Sequence, residues 1–165
     1  MLLLRNQDEE AGVDTKNKQS CPFCRIARHE LPAEVIAEDE DALALMDLYP
    51  ATVGHVLVIP KQHIENIYVL PSDLGAHLMV MAVEIARAIK QTLAPDGLNL
   101  IQANECAAGQ TIPHFHLHIV PRYKDDLVAL SFGHGAVAAT KSALQDTASA
   151  VRSALKAQTL DSEMT

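Results

Sequence analysis

Residues 114–120, "HFHLHIV", set His114, His116 and His118 at alternate positions with a bulky apolar residue between each pair. In a β-strand, residues i, i+2 and i+4 share one face. The run therefore reads as a short strand with three imidazoles on one side and Phe115, Leu117 and Ile119 turned to a core. Pro113 and Pro121 punctuate its ends. A helix would spread the three rings, about 200° from one to the next. Imidazoles in register suit metal ligation, proton transfer or nucleophilic attack. The preceding Gly109-Gln110-Thr111 is a small, polar turn able to offer N–H and O–H donors to an oxyanion. Beside such a cradle, phosphate chemistry is the better reading of the imidazole row.

A second group of reactive residues is Cys21-x-x-Cys24. The pair allows three readings: a redox dithiol, two thiols with no partner, or half of a zinc site. Two thiolates need two further ligands for a tetrahedral shell, and His63 and His114 are candidates. The redox reading calls for a buried strand just before the first cysteine, whereas a polar tail precedes Cys21. Cys106 reads as a lone thiol, structural or incidental. His55 and His63 bracket the apolar run "VLVIPK", and Asp47 stands at a predicted strand end. His29, His77 and His134 carry no assigned role.

These residues must be positioned by a modest scaffold. The chain has 165 residues, 48% hydrophobic and 21% charged, enough for one domain with its own core. Its net charge of −8 disfavours electrostatic binding to nucleic acid. No apolar run reaches membrane-spanning length, and "MLLLRNQDEE" is too short for a signal-peptide core. Three cysteines do not make an oxidised secreted framework, so a cytoplasmic location is expected, with no nucleic-acid or membrane partner.

Residues 1–19 are polar and without periodicity and are expected to be a loose tail; 20–125 form the domain, and 126–165 a C-terminal helical extension. A short helix is expected near Phe23. Strands are expected at Glu34–Glu38, Ala42–Asp47 and Val56–Ile59, and along "GLNLIQANE", residues 97–105. "LPSDLGAHLMVMAVEIARAIKQTLAPDG" is the clearest helix, capped by Ser72 or Asp73 and stopped by Pro95 and Gly97. "GAVAATKSALQDTASAVRSALKAQ" (135–158) predicts a last helix, with "TLDSEMT" fraying. The result is an α+β domain on an antiparallel sheet of about five strands with a long helix and a C-terminal helix.

"GHVLVIPKQH", followed at a distance by "NECAAGQTIPHFHLHIVPR", resembles the histidine triad (HIT) superfamily. Its His-φ-His-φ-His-φ-φ signature, with φ apolar, is matched completely by His114 to Val120. The likeness runs from about Cys21 to Arg122. It implies the HIT-like fold, a homodimer formed through the long helix and an edge strand, and attack on the α-phosphorus of a purine nucleotide. His116 would be the nucleophile, forming a transient nucleotidyl-histidine that water opens. His118 would touch the phosphate and assist proton transfer to the leaving group, and His55 would orient from behind. Gln110 and Thr111 would hold phosphoryl oxygens, with Asn104 and Gly109 completing the pocket. Asp47 would accept from the ribose hydroxyls, and the base would rest near Phe23, Ile26 and Leu45. Cys21, Cys24, His63 and His114 resemble the structural zinc set of a HIT subset.

The chain departs from the Hint branch in having no tryptophan and in running on more than 40 residues past the triad. "GQT…H.H.H…PR" is similar to the Fhit branch, which lacks the cysteine pair and His63. The resemblance thus leaves two leaving groups: an amine, for a nucleoside phosphoramidase, or a nucleotide, for a dinucleoside polyphosphate hydrolase. Galactose-1-phosphate uridylyltransferases carry proline after the first triad histidine, where Phe115 stands here. A nucleotide-binding or protein-interaction module with vestigial hydrolysis is the alternative.

Overall fold

The structure is a computed structural model and describes residues 20–126, 128 and 137–163. The expected tail at 1–19 and His134 lie outside the described residues. A short helix α1 (Pro22–Ala27) leads to strands β1 (Val35–Glu38), β2 (Ala42–Met46) and β3 (Val56–Pro60), then the long helix α2 (Ser72–Leu93), strands β4 (Gly97–Ile101) and β5 (Leu117–Arg122), and helix α3 (Lys141–Glu163). The five strands make one sheet in the order β1-β2-β3-β5-β4, antiparallel at every pairing. This is the expected α+β architecture.

β2 and β3 are buried along their whole length because the sheet is covered on both faces, which is what continuous apolar strands require. Ala42, Ala44, Met46, Val56, Val58, Leu117 and Ile119 face α2 and α3, against Leu78, Ile85 and Ile89 of α2 and Leu144, Ala148 and Val151 of α3. The alternate residues Leu43, Leu45, Leu57 and Ile59 face Cys21, Phe23 and Cys24. Helix α3 thus packs into the same core as α2.

Several element boundaries differ from the sequence reading. Three histidines were expected on one strand, but β5 begins at Leu117. His114 N–H bonds back to the Ile112 carbonyl at 2.8 Å, a tight turn about Pro113, which has no N–H for a ladder. The alternation of faces survives: Phe115 is in the helix-side core. β4 ends at Ile101, not Glu105, because the Asn104 side chain accepts from Ile67 N at 2.8 Å instead of joining the sheet. Pro71 occupies the N-cap of α2 with no side-chain cap bond, so neither Ser72 nor Asp73 caps it. Ala94 closes that helix in the left-handed conformation (φ 46°). α3 starts at Lys141, six residues later than expected, and runs through the "TLDSE" that was expected to fray. Thr140 accepts from Ala143 N at its start. Among the described residues no helix is long and apolar enough to cross a membrane.

Candidate active site and metal centre

Strand register assembles the first cluster. Met46 pairs with Val56, so Asp47 and His55 face each other just beyond the strand ends, joined by Asp47 N–H to the His55 carbonyl at 3.0 Å. Leu57 pairs with His118, which makes His55 and His118 diagonal neighbours on one face. His55 Nε2 lies 2.9 Å from His118 Nδ1. Asp47 Oδ2 lies 3.4 Å from His55 Nδ1, and Asp47 Oδ1 accepts from Tyr49 N at 2.8 Å.

The partners fix the protons of four imidazoles. Ala51 N–H donates to His55 Nδ1 at 3.1 Å, so the His55 proton sits on Nε2 and points to His118 Nδ1. The His118 proton is therefore on Nε2. His116 Nδ1 donates to the His114 carbonyl at 2.7 Å, which leaves the lone pair of His116 on Nε2. His114 Nε2 donates to the Pro60 carbonyl at 2.9 Å, leaving its lone pair on Nδ1. Burial favours the neutral form of all four. It presses His118 to about 3, with His116 and His55 adding repulsion. His55 is pressed to about 4 by burial and by His116. His114 is pressed to about 4 by burial, against the bond to Pro60, with His63 and His116 lowering it further. His116 is also lowered by burial. Asp47 moves the other way: burial raises it to about 6 against the Tyr49 bond.

A cavity of about 670 Å³ opens beside these groups, within the range of small-ligand sites. Phe23, Ile26, Leu45, Asp47, Thr111 and His116 line it, so six of the predicted site residues meet there. Phe23 also packs against the His114 and His116 rings, with centroids 5.6 and 5.3 Å away. Asn104, Gly109 and Gln110 are not among the lining residues. The buried Gln110 carboxamide ties its loop to the segment after β3, donating to the Glu65 and Ile112 carbonyls at 2.7 and 3.1 Å and accepting from Glu105 N at 2.7 Å. Asn104 holds Ile67 N and Gln102. Gly109 has φ 89° and closes the short turn Cys106–Ala108. Leu31, Glu34, Leu57, Ile112, Lys141 and Gln145 also line the cavity and were not singled out from sequence. For Leu57 the signal existed, since it shares strand parity with His55; for Glu34 and Lys141 there was none.

Cys21, Cys24, His63 and His114 form the second cluster, with ligand atoms all within 4.8 Å of one another. Phe115 N–H bonds to the Ile64 carbonyl, which draws His63 beside the triad turn. His114 Nδ1 lies 3.4 and 3.5 Å from the two sulfurs, and His63 Nδ1 lies 3.2 Å from Cys24 Sγ. These approach the edges of a tetrahedron with Zn–S and Zn–N bonds of about 2.3 and 2.0 Å, roughly 3.3–3.8 Å. The lone pair on His114 Nδ1 points into the cluster while its Nε2–H is held by a carbonyl, the usual support for a ligating histidine. The donor set fits zinc. Cys106 is exposed and lies outside the cluster. His29 and His77 face Glu38 and Asp39 at 3.3 and 2.8 Å, also outside both clusters.

The family model described as HIT domain matches residues 28–125, more than half of the chain. Protein hit of Bacillus subtilis is 43% identical over 105 residues, 64% of this chain and 72% of that protein. Adenosine 5'-monophosphoramidase hnt1 of Schizosaccharomyces pombe is 33% identical over 107 residues, 65% of this chain and 77% of that protein. The crystal structure of a Zn-bound histidine triad family protein from Mycobacterium smegmatis superposes with a TM-score of 0.74 at 35% identity, covering 88% of this chain and 99% of that one. With its triad, its sheet and these matches, the chain belongs to the HIT domain family.

Proposed function

We propose that this protein is a nucleotide hydrolase that cleaves the bond to the α-phosphate of a nucleoside phosphoramidate or dinucleoside polyphosphate. The observation that carries the reading is the lone pair on His116 Nε2, fixed by the Nδ1–H bond to the His114 carbonyl, on a ring that lines the cavity. Phe23, Ile26 and Leu45 offer apolar surface for a base and Asp47 acceptors for ribose hydroxyls, with Thr111 at the phosphate end. A phosphoramidase among the similar proteins supports an amine as leaving group.

The atoms balance as follows. His116 Nε2 forms a bond to phosphorus, and the bond to the leaving group breaks with its electron pair. The leaving group takes the Nε2 proton of His118, whose Nδ1 accepts the bond from His55 Nε2–H. Water then attacks phosphorus and returns a proton to His118 Nε2, as the N–P bond returns its pair to His116. Zinc on Cys21, Cys24, His63 and His114 would supply structure, fixing the His114 carbonyl that orients His116, and takes no part in the transfer.

Met79, Val80 and Val83 on α2 and Leu100 on the edge strand β4 are exposed apolar residues. They support a homodimer through this face.

The test is turnover of adenosine 5'-phosphoramidate and of diadenosine tri- and tetraphosphate by the wild type and His116→Ala. Nucleoside monophosphate released by the wild type alone is expected. Equal rates from the two proteins would remove the hydrolase reading and leave a binding module.

A further inference from the structure

Part of the cavity lining comes from residues beyond the family match, which ends at 125. Lys141, Leu144 and Gln145, from the first turns of α3, line the same cavity as His116. They are held there firmly. Ala139 N–H donates to the Leu48 carbonyl at 3.0 Å, one residue from Asp47, and Leu144 is buried in the core with Met46. Glu34 lines this cavity too, its carbonyl bonded to Met46 N at 2.9 Å.

Among the described residues that line the cavity, Lys141 is the only lysine or arginine, and Glu34 and Asp47 are the only carboxylates. Asp47 is engaged with Tyr49 and His55. The Glu34 carboxylate and the Lys141 ammonium make no hydrogen bond or ion pair with another described residue. An acceptor and a donor therefore border an apolar slot, unspent on each other. Gln145 lies four residues after Lys141, on the same face of α3.

Building on the nucleotide reading, we propose that Lys141 and Glu34 read the edge of a 6-oxopurine, so that the preferred substrates are guanosine or inosine conjugates. Guanine presents O6 and N7 as acceptors for an ammonium, and N1–H and N2–H₂ as donors for a carboxylate. Adenine carries an N6–H₂ donor in place of O6 and an acceptor at N1. Each protein charge would then meet a group of the wrong polarity, which discriminates by mismatch as well as by attraction.

The experiment is calorimetric binding of GMP, IMP and AMP to the wild type, Lys141→Ala and Glu34→Gln, followed by kcat/KM on guanosine and adenosine 5'-phosphoramidates. The wild type should bind GMP about tenfold more tightly than AMP, and each substitution should lower that ratio about tenfold, the scale of one good base-edge contact in partly wet surroundings. IMP, without the N2 amine, should fall between the two in the wild type and approach GMP in Glu34→Gln. AMP bound as tightly as GMP by the wild type overturns the proposal, as do variants that weaken all nucleotides equally. A GMP preference without hydrolysis would keep the base site and remove the hydrolase reading. Hydrolysis without base preference would do the reverse.

Discussion

His55 Nε2 stands 2.9 Å from His118 Nδ1 while Ala51 N–H occupies His55 Nδ1, so the two rings share one proton in a fixed direction. Asp47 lies 3.4 Å from His55, at the ribose end of the proposed site, and burial raises it to about 6. The ionised carboxylate accepts from ribose hydroxyls more strongly than the acid does, so kcat/KM should rise as pH rises through about 6. Asp47→Asn should abolish that limb of the pH–rate profile and lower kcat/KM roughly tenfold, the worth of a hydrogen bond to a charged group. His55→Asn should reduce kcat with a smaller change in KM, because His55 is not a lining residue. A limb that persists in Asp47→Asn would assign it to another group.

The same burial makes stability depend on pH. His118, His55 and His114 are held at about 3, 4 and 4 against an ordinary 6.5. Above 6.5 they are neutral in both states, and their contribution is complete. As pH falls from 6.5 toward 4 the unfolded chain takes up protons first, and stability is lost. Asp47 acts with the opposite sign: its folded value of about 6 exceeds 3.8, so its contribution grows as pH drops through that window. Thermal unfolding at pH 5 should lie roughly 5 °C or more below that at pH 7. The decline should be steeper in Asp47→Asn. A flat profile would mean that the histidines are solvated in solution.

How these clusters form explains what could be read ahead. β3 was legible because a strand buried on both faces must be continuously apolar, and the face shared by the three histidines followed from alternation alone. The strand itself was misjudged because Phe115 N–H bonds to Ile64, distant in sequence, and not to a neighbouring strand, which no local pattern encodes. Gln110 was read as a phosphate ligand from its place beside the triad; the bonds of its carboxamide to Glu65, Ile112 and Glu105 depend on the tertiary fold and were not legible. The Asp47–His55 contact depends on the β2–β3 register, and the presence of Glu34 and Lys141 on one cavity on how α3 returns across the sheet.

The metal centre yields a prediction independent of turnover. Protein purified without chelator should carry about one zinc per chain, and Cys24→Ser less than half of that. Because the ion binds the folded state, its removal should cost about 2.7 kcal/mol at a free concentration 100 times Kd, read as a lower unfolding temperature with chelator. Cobalt in place of zinc should give the visible absorption of a tetrahedral thiolate site. An unfolding temperature indifferent to chelator, with no bound metal, would leave the four residues as a reduced cluster without an ion.

The outer face of α2 offers the last test. Val80 is 58% exposed and Val83 39%, and Leu100 on the neighbouring edge strand is 43% exposed. Among the described residues β4 pairs only with β5 and ends the sheet, so its other edge is a template for a second strand. Apolar side chains beside such an edge suit a two-fold contact, in which each copy supplies the same helix and strand. The wild type should therefore sediment as a dimer. Val83→Asp combined with Leu100→Lys should sediment as a monomer with its helical content intact, since both side chains are outside the core. The reactive groups of each chain sit on the opposite face of the sheet from α2, so the monomer should keep nucleotide affinity within about threefold, less than the 1.4 kcal/mol that a tenfold change represents. A monomeric wild type would show that the exposed valines serve some other contact.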